Sequence, residues 1–237
     1  MKCSKSKFDS EPLILFRIMR KKTNSLLVVG LSLIVNFSVF SQESINRIQN
    51  YLTQESDQLK LKSADLQGLT VVDEHKSSVY GITFYYVQQQ YNGIPIYNAI
   101  STFASQNDQL FLTGNRFEQN ISERSSNDIV ILNPREAIES AASGLNLTVP
   151  KLLTEIDKGT DGSISYFSAK DLSSERIPVE LMYFPTTDGK LIKVWDLSIY
   201  ELSHNHWWSV RIDATTGKLL DKVDWGVGCQ FETTGEH

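Results

Sequence analysis

Four histidines, two cysteines and 28 acidic residues are the groups through which this 237-residue chain could do chemistry. Zinc-dependent peptide hydrolysis needs two His one helical turn apart and a Glu to polarise water. His75, His204, His206 and His237 offer no such spacing. His204-Asn-His206 could reach one ion from a loop, but a third ligand at suitable spacing is missing, so an exposed turn between strands is the plainer reading. Cys229 has no His in its sequence context to activate a thiolate, and neither a Gly-x-Ser-x-Gly elbow nor a Gly-rich phosphate loop is present. The expectation is a chain with no catalytic residue, no metal ligand and no cofactor of its own.

Aromatic side chains are the other candidates, this time for recognition. Phe84, Tyr85, Tyr86, Tyr91 and Tyr97 form one group, and Trp195, Trp207 and Trp208 another. Most of them are expected in the core. Adjacent pairs such as Tyr85-Tyr86 and Trp207-Trp208 point to opposite faces of a strand, which leaves one member of each for a partner.

Composition limits the partners. The formal charge is −5, yet residues 1–41 carry seven Lys or Arg and two acids, leaving 16 basic and 26 acidic residues in the other 196. A body of net −10 repels phosphate backbones, which argues against nucleic acid. Arg20-Lys21-Lys22 followed by the apolar run Leu26 to Phe40 has the pattern of a secretory signal peptide, too short and too interrupted to span a membrane, with an uncleaved amphipathic anchor as the alternative. Val39 and Ser41 stand at the −3 and −1 positions, so cleavage is expected between Ser41 and Gln42, and Met19 is an alternative start. The mature product is expected outside the cell and off the membrane. Cys3 goes with the leader, so Cys229 either is reactive or has a partner beyond His237.

The elements follow from hydrophobic period and turn chemistry. Ser44 to Leu59 has helical spacing, and Asp57 to Lys76 is polar enough for a loop with one short strand at Leu69–Val72. Val79–Val87 and Ile94–Ile100 are strand-like, and Asn92-Gly93 between them tolerates the positive φ of a type I′ hairpin turn. Pro95 cannot donate to a ladder, so it marks an edge strand or a strand start. Asn107-Asp108 is a further turn before a strand at Leu110–Gly114. Glu118 to Asp128 has the composition of a linker. Asn133, Pro134 and Glu136 then form an N-terminal helix signature, with Gly144 as the expected stop. Strands are expected at Ile164–Phe167, Val179–Phe184, Leu191–Tyr200, Trp207–Ile212 and Lys218–Val223, with turns at Thr187-Asp-Gly189 and Thr215-Thr-Gly217. The fold class is α+β: two consecutive small units, each a helix packed on an antiparallel sheet or meander. Their expected bounds are 42–117 and 128–225, after a leader over 1–41 and before a linker over 226–237.

The segment Tyr85-Tyr-Val-Gln-Gln-Gln-Tyr-Asn-Gly-Ile-Pro-Ile-Tyr-Asn-Ala99 resembles the signature hairpin of the fungalysin/thermolysin propeptide domain. Its core here is Gln90, Tyr91, Asn92, Gly93, Ile94, Pro95, Ile96 and Tyr97. Trp208-Ser-Val-Arg-Ile-Asp-Ala-Thr-Thr-Gly-Lys-Leu-Leu220 resembles the final hairpin of a PepSY domain, with Asp213, Thr216 and Gly217 at its turn. The order of the two motifs is similar to that in the prosegment of secreted fungalysin-type zinc metallopeptidases. That resemblance implies an intramolecular chaperone and inhibitor whose partner is the cognate catalytic domain. Zinc is then expected only in that domain, which would follow the linker and is not among these residues. The exit would run through Val223-Asp-Trp-Gly-Val-Gly-Cys-Gln-Phe231, loosened by Gly226 and Gly228. Two alternatives stay open: a free secreted inhibitor or binding module, and a structural or adhesive cell-surface protein.

Overall fold

A computed structural model describes residues 43–159 and 162–226. The Ser41–Gln42 cleavage point, Cys229 and His237 lie outside the described residues. Among the described residues the fold is mostly β, a mixed α+β arrangement in which few helices accompany ten strands. The strands are β1 (Gly68–Lys76), β2 (Thr83–Tyr91), β3 (Ile94–Gln106), β4 (Gln109–Gly114), β5 (Thr154–Lys158), β6 (Ile164–Ser168), β7 (Ile177–Pro185), β8 (Leu191–Tyr200), β9 (Trp207–Asp213) and β10 (Leu219–Asp224). Helix α1 covers 43–54, α2 is Ser56–Leu59, α3 is Ile121–Arg124 and α4 is Pro134–Gly144. A 3-10 turn at Ser63–Leu66 precedes β1.

The main sheet path is β1-β2-β3-β7-β8-β9-β10, with β4 beside β3, and β6 carrying β5 beside β7. Neighbours are antiparallel except β3 and β7, which run parallel at Ile96 and Tyr183. The length of β3 makes this possible. Its first residues reach β7 while its last five pair with β4.

Periodicity decides which faces close. Ile48 and Leu52 lie on one face of α1 and bury themselves against Tyr85, Val87 and Phe103 of the β1–β4 meander. Ala137, Ile138, Ala141 and Ala142 do the same from α4 onto Val179, Leu197, Val210 and Ile212. The three alanines keep that helix close to the sheet. A third cluster, with Ile96, Ile121, Tyr183 and Leu191, fills the β3–β7 junction.

The Asn133 side chain accepts from the Glu136 N–H at 3.1 Å while Glu136 accepts from the Asn133 N–H at 2.8 Å, the reciprocal cap that starts α4. Several details depart from expectation. The left-handed residue after α4 is Asn146 (φ 59°), whereas Gly144 is needed because a Cβ there would meet Leu219 side-chain atoms at 3.0 Å. β1 is nine residues long rather than four, because it pairs with β2 from Thr83 to Gln90 and so needs no apolar face on its outer half. β2 begins at Thr83, leaving Val79 and Tyr80 exposed in the preceding turn. β5, fully exposed, is a strand without a hydrophobic signal in its sequence. Of the two roles expected for Pro95, the strand start holds, since it is the second residue of β3, which is an interior strand and not an edge. Residues 118–128 are not a bare linker, since Ile121 is fully buried.

Candidate functional site

The hairpin turn forms as its residues require: Asn92 and Gly93 take φ of 51° and 77° at the exposed tip. Beyond it the ladder breaks. Gln88 pairs with Ile100 and Gln90 with Pro95, so residues 96–99 bulge opposite Gln89, and Asn98 takes a φ of 59°. Bulged carbonyls need donors. The buried Gln88 amide supplies them, donating to Gln89 O and Ile96 O at 2.8 Å each and to Ala99 O at 3.4 Å.

Gln89 turns the other way and is fully buried. Its amide donates to Asp65 O and Glu118 O at 2.9 Å each, and its oxygen accepts the Glu118 N–H at 2.8 Å. The buried Asp65 carboxylate accepts from the backbone N–H groups of Lys62, Asn120 and Ile121 at 2.8–3.0 Å. Two of these donors belong to the segment expected as a linker, and this is what holds it down. The Gln-rich stretch therefore works inside the molecule, closing backbone groups that the bulge and the crossing chain leave unpaired.

The bulge also delivers Tyr97 to the second half. Its ring lies 4.4 Å from the Arg211 guanidinium carbon and 5.6 Å from the Phe184 ring, while Tyr91 meets Tyr183 at 5.9 Å. Arg211 is fully buried on the face opposite α4. Glu180, Asp196, Arg211 and Asp221 stand in register across β7–β10. Asp221 takes two bonds from Arg211, at 3.1 and 2.7 Å, and Asp196 and Ser209 take one each, at 3.3 and 2.5 Å. Desolvation pushes the Asp196 carboxyl up to about 6, against the pull of Arg211. Asp221, with two bonds, is the main partner of the guanidinium; Asp196, with one longer bond, carries charge beyond what that pair needs.

The second predicted turn is equally well built. Asp213 Oδ1 accepts from the N–H groups of Thr215 and Thr216, and Gly217 takes a φ of 74°. It also anchors the segment leading to α4, since Ala214 O accepts from the Ile131 and Leu132 N–H groups at 3.0 Å. Both sequence-identified turns are architectural in this structure.

The surface suited to a partner lies elsewhere, where the chain leaves the sheet. Tyr200, Trp207 and Trp225 form a series of contacting rings at 5.5 and 5.6 Å, with His204 5.1 Å from Tyr200. Trp207 and Trp225 are 43% and 51% exposed, enough to offer one continuous aromatic patch. A groove of about 440 Å³ adjoins it, lined by Tyr166, Glu175, Arg176, Pro178, Ser198, Tyr200 and Trp207, with the Arg176 guanidinium 4.1 Å above the Tyr166 ring. Trp207-Trp208 divides as alternation requires: Trp208 packs against the α4 core and Trp207 faces out. His204 and His206 do not converge, because His206 is engaged by Asp224 at 2.6 Å. Among the described residues, no three His, Cys, Asp or Glu are grouped to hold a metal ion, and no helix is long and apolar enough to cross a membrane. The Arg211 cluster and the exit-strand contacts of Asp224 escaped sequence reasoning. Only the charged residues interrupting the β9 and β10 strand patterns hinted at them.

Comparison with known proteins bears on the first half. A family profile described as the fungalysin/thermolysin propeptide motif matches residues 67–117, the stretch from the start of β1 to Phe117. No curated protein matches the chain. The profile match supports a metallopeptidase propeptide and, with it, association with a peptidase catalytic domain and a place among secreted proteins.

Proposed function

We propose that this chain is the prosegment of a secreted zinc metallopeptidase, acting as an intramolecular chaperone and inhibitor of a catalytic domain encoded beyond residue 237. The observation that carries this reading is the propeptide-motif match over 67–117, which falls on the β1–β4 meander and includes Gln88 and Gln89. In this reading residues 42–117 and 128–225 act as two consecutive units, the second PepSY-like, after removal of a signal peptide at Ser41–Gln42. The chain itself contributes no catalytic group and binds no zinc.

The physical logic is one of tethering. A prefolded sheet with exposed edges and an aromatic patch can cover an unfinished surface of its partner. Covalent linkage raises the effective concentration, so modest contact energy suffices until the linker is cut. The test begins with the DNA downstream of codon 237, where an open frame reaching His-Glu-x-x-His is expected. The encoded peptidase is then refolded with and without the purified chain, and its activity titrated with added chain. Higher recovery of active enzyme and dose-dependent inhibition are the expected results. A stop codon after 237 would favour a free inhibitor, and no effect on either recovery or activity would overturn both readings.

A further inference from the structure

Asp224 ends β10, and its carboxylate is shared three ways. Oδ1 accepts the Trp207 N–H at 3.1 Å and the Gly226 N–H at 2.8 Å, while Oδ2 lies 2.6 Å from Nδ1 of His206. The Trp225 N–H adds a bond to Trp207 O at 2.8 Å. Gly226, expected to loosen the exit, is instead set hard against the 201–206 loop. A Cβ there would stand 2.7 Å from Asn205 O and 3.3 Å from His206 Cα. The first residues of the exit are therefore pinned to β9 and the loop before it by one backbone bond, the Trp207 N–H bond to Asp224, a close glycine approach and the His206–Asp224 pair.

Within that set, His206 is the group whose charge changes near neutral pH. Its ring stacks on Trp208 at 5.1 Å, and the Trp208 indole N–H donates to Glu201 Oε1 at 2.7 Å. The charged groups facing it are Asp224 and, across the Trp208 ring, Lys222 from β10, together with Glu201 from the loop. His204, on the same loop, turns away to Tyr200. Two carboxylates against one ammonium favour the imidazolium.

We propose that His206 and Asp224 form a pH-gated clasp on the exit strand, closed while His206 is protonated and loosened when it loses its proton. The bond to Asp224 raises the His206 pKa above its ordinary 6.5, and the same bond lowers that of Asp224 below its ordinary 3.8. The contribution of His206 is full below 6.5 and is lost as pH rises through its raised value; that of Asp224 is full above 3.8 and is lost as pH falls through its depressed value. The clasp therefore holds between the depressed Asp224 value and the raised His206 value, and opens as pH rises through the latter. On the prosegment reading, this regulates access to the stretch joining sheet and peptidase.

The test is an NMR pH titration of the full chain, following the His206 ring and the exchange protection of the Trp207 and Gly226 amides, corrected for base catalysis. His206 is expected to titrate above 6.5, with protection falling roughly two- to fivefold through the same midpoint, the size typical of exposed ion pairs. Asp224→Asn should lower the His206 midpoint from its wild-type value toward the ordinary one, and His206→Gln should abolish the step. A His206 midpoint at or below 6.5, or a step that persists in His206→Gln, overturns the clasp. If a variant misfolds, the wild-type titration still decides. No peptidase enters the measurement, so a failure of the prosegment reading would appear in the refolding and inhibition assays and leave this result untouched.

Discussion

The two halves of the sheet bury polar side chains for different ends. In β1–β4, the Gln88 and Gln89 amides and the Asp65 carboxylate are directed almost wholly at backbone groups. In β7–β10, Arg211 is directed at other side chains: Asp196, Asp221, Ser209 and the Tyr97 ring. Backbone-directed bonds specify a chain path, here a bulge and a crossing segment that no regular ladder could satisfy. Charge-directed bonds specify which strands lie side by side. They also tie the sheet to pH, because the Asp196 carboxylate is desolvated beside a guanidinium already doubly bonded to Asp221. The halves meet through Tyr97, placed by the first kind of network and received by the second.

Breaking the ionic side should have the largest effect. Arg211→Met leaves Asp196 and Asp221 without their buried cation and should cost about 3–5 kcal/mol, measured by urea unfolding. A variant within 1 kcal/mol of the parent would show that the cluster is incidental to stability. On the backbone-directed side, Asp65→Ala orphans the Lys62, Asn120 and Ile121 N–H groups and should cost about 2–4 kcal/mol. Exchange protection should be lost first around residues 118–125, since two of the three donors hold that segment.

The pH dependence separates the halves more finely. The folded-state pKa of Asp196 is raised to about 6, so its ionised form at neutral pH opposes folding, and stability from this group increases as pH falls from above 6 toward 3.8. Asp196→Asn should remove that dependence, and at pH 7 it should be more stable than the parent by about 1–2 kcal/mol. Paired urea titrations of the two proteins at pH 5 and pH 7 measure this. Parent and variant curves that stay parallel would show that Asp196 does not carry the surplus charge.

The smallest effect is expected at the hairpin tip. Gly93→Ala should cost about 1 kcal/mol, because the penalty is the φ of 77° alone: a Cβ there meets nothing within 4 Å. Gly217→Ala should cost more than Gly93→Ala, since its Cβ would also stand 3.1 Å from Ser140 Oγ and 3.2 Å from Leu132 Cδ2. The same thermal-unfolding series ranks the two, and equal losses would show that the second turn yields to the crowding.

Local chemistry determined much of this protein without help from its fold. The Asn92-Gly93 and Asn107-Asp108 turns, the Asn133–Glu136 cap and the β8 limits follow from residues within a few positions of one another, where φ preferences and short-range hydrogen bonds dominate. Hydrophobic period likewise marked the buried faces of α1 and α4. What lay beyond the sequence was every partner chosen at long range. Gln88 and Gln89 look like a solvated polar run until β3 bulges beneath one of them and the 118–121 segment crosses the other. Asp65 and Glu118 are 53 positions apart, yet both bond Gln89. Arg211 looks like a surface residue of an alternating strand until Tyr97, from the other half of the chain, closes over it. β5 has no apolar face and exists only because β6 offers it an edge. Gly226 looks like slack in a connection until the Asn205 carbonyl arrives within van der Waals distance of where its side chain would be. Each is a contact between segments whose sequences carry no mutual signal, because burial and hydrogen-bond demand are set by what the rest of the chain leaves unsatisfied.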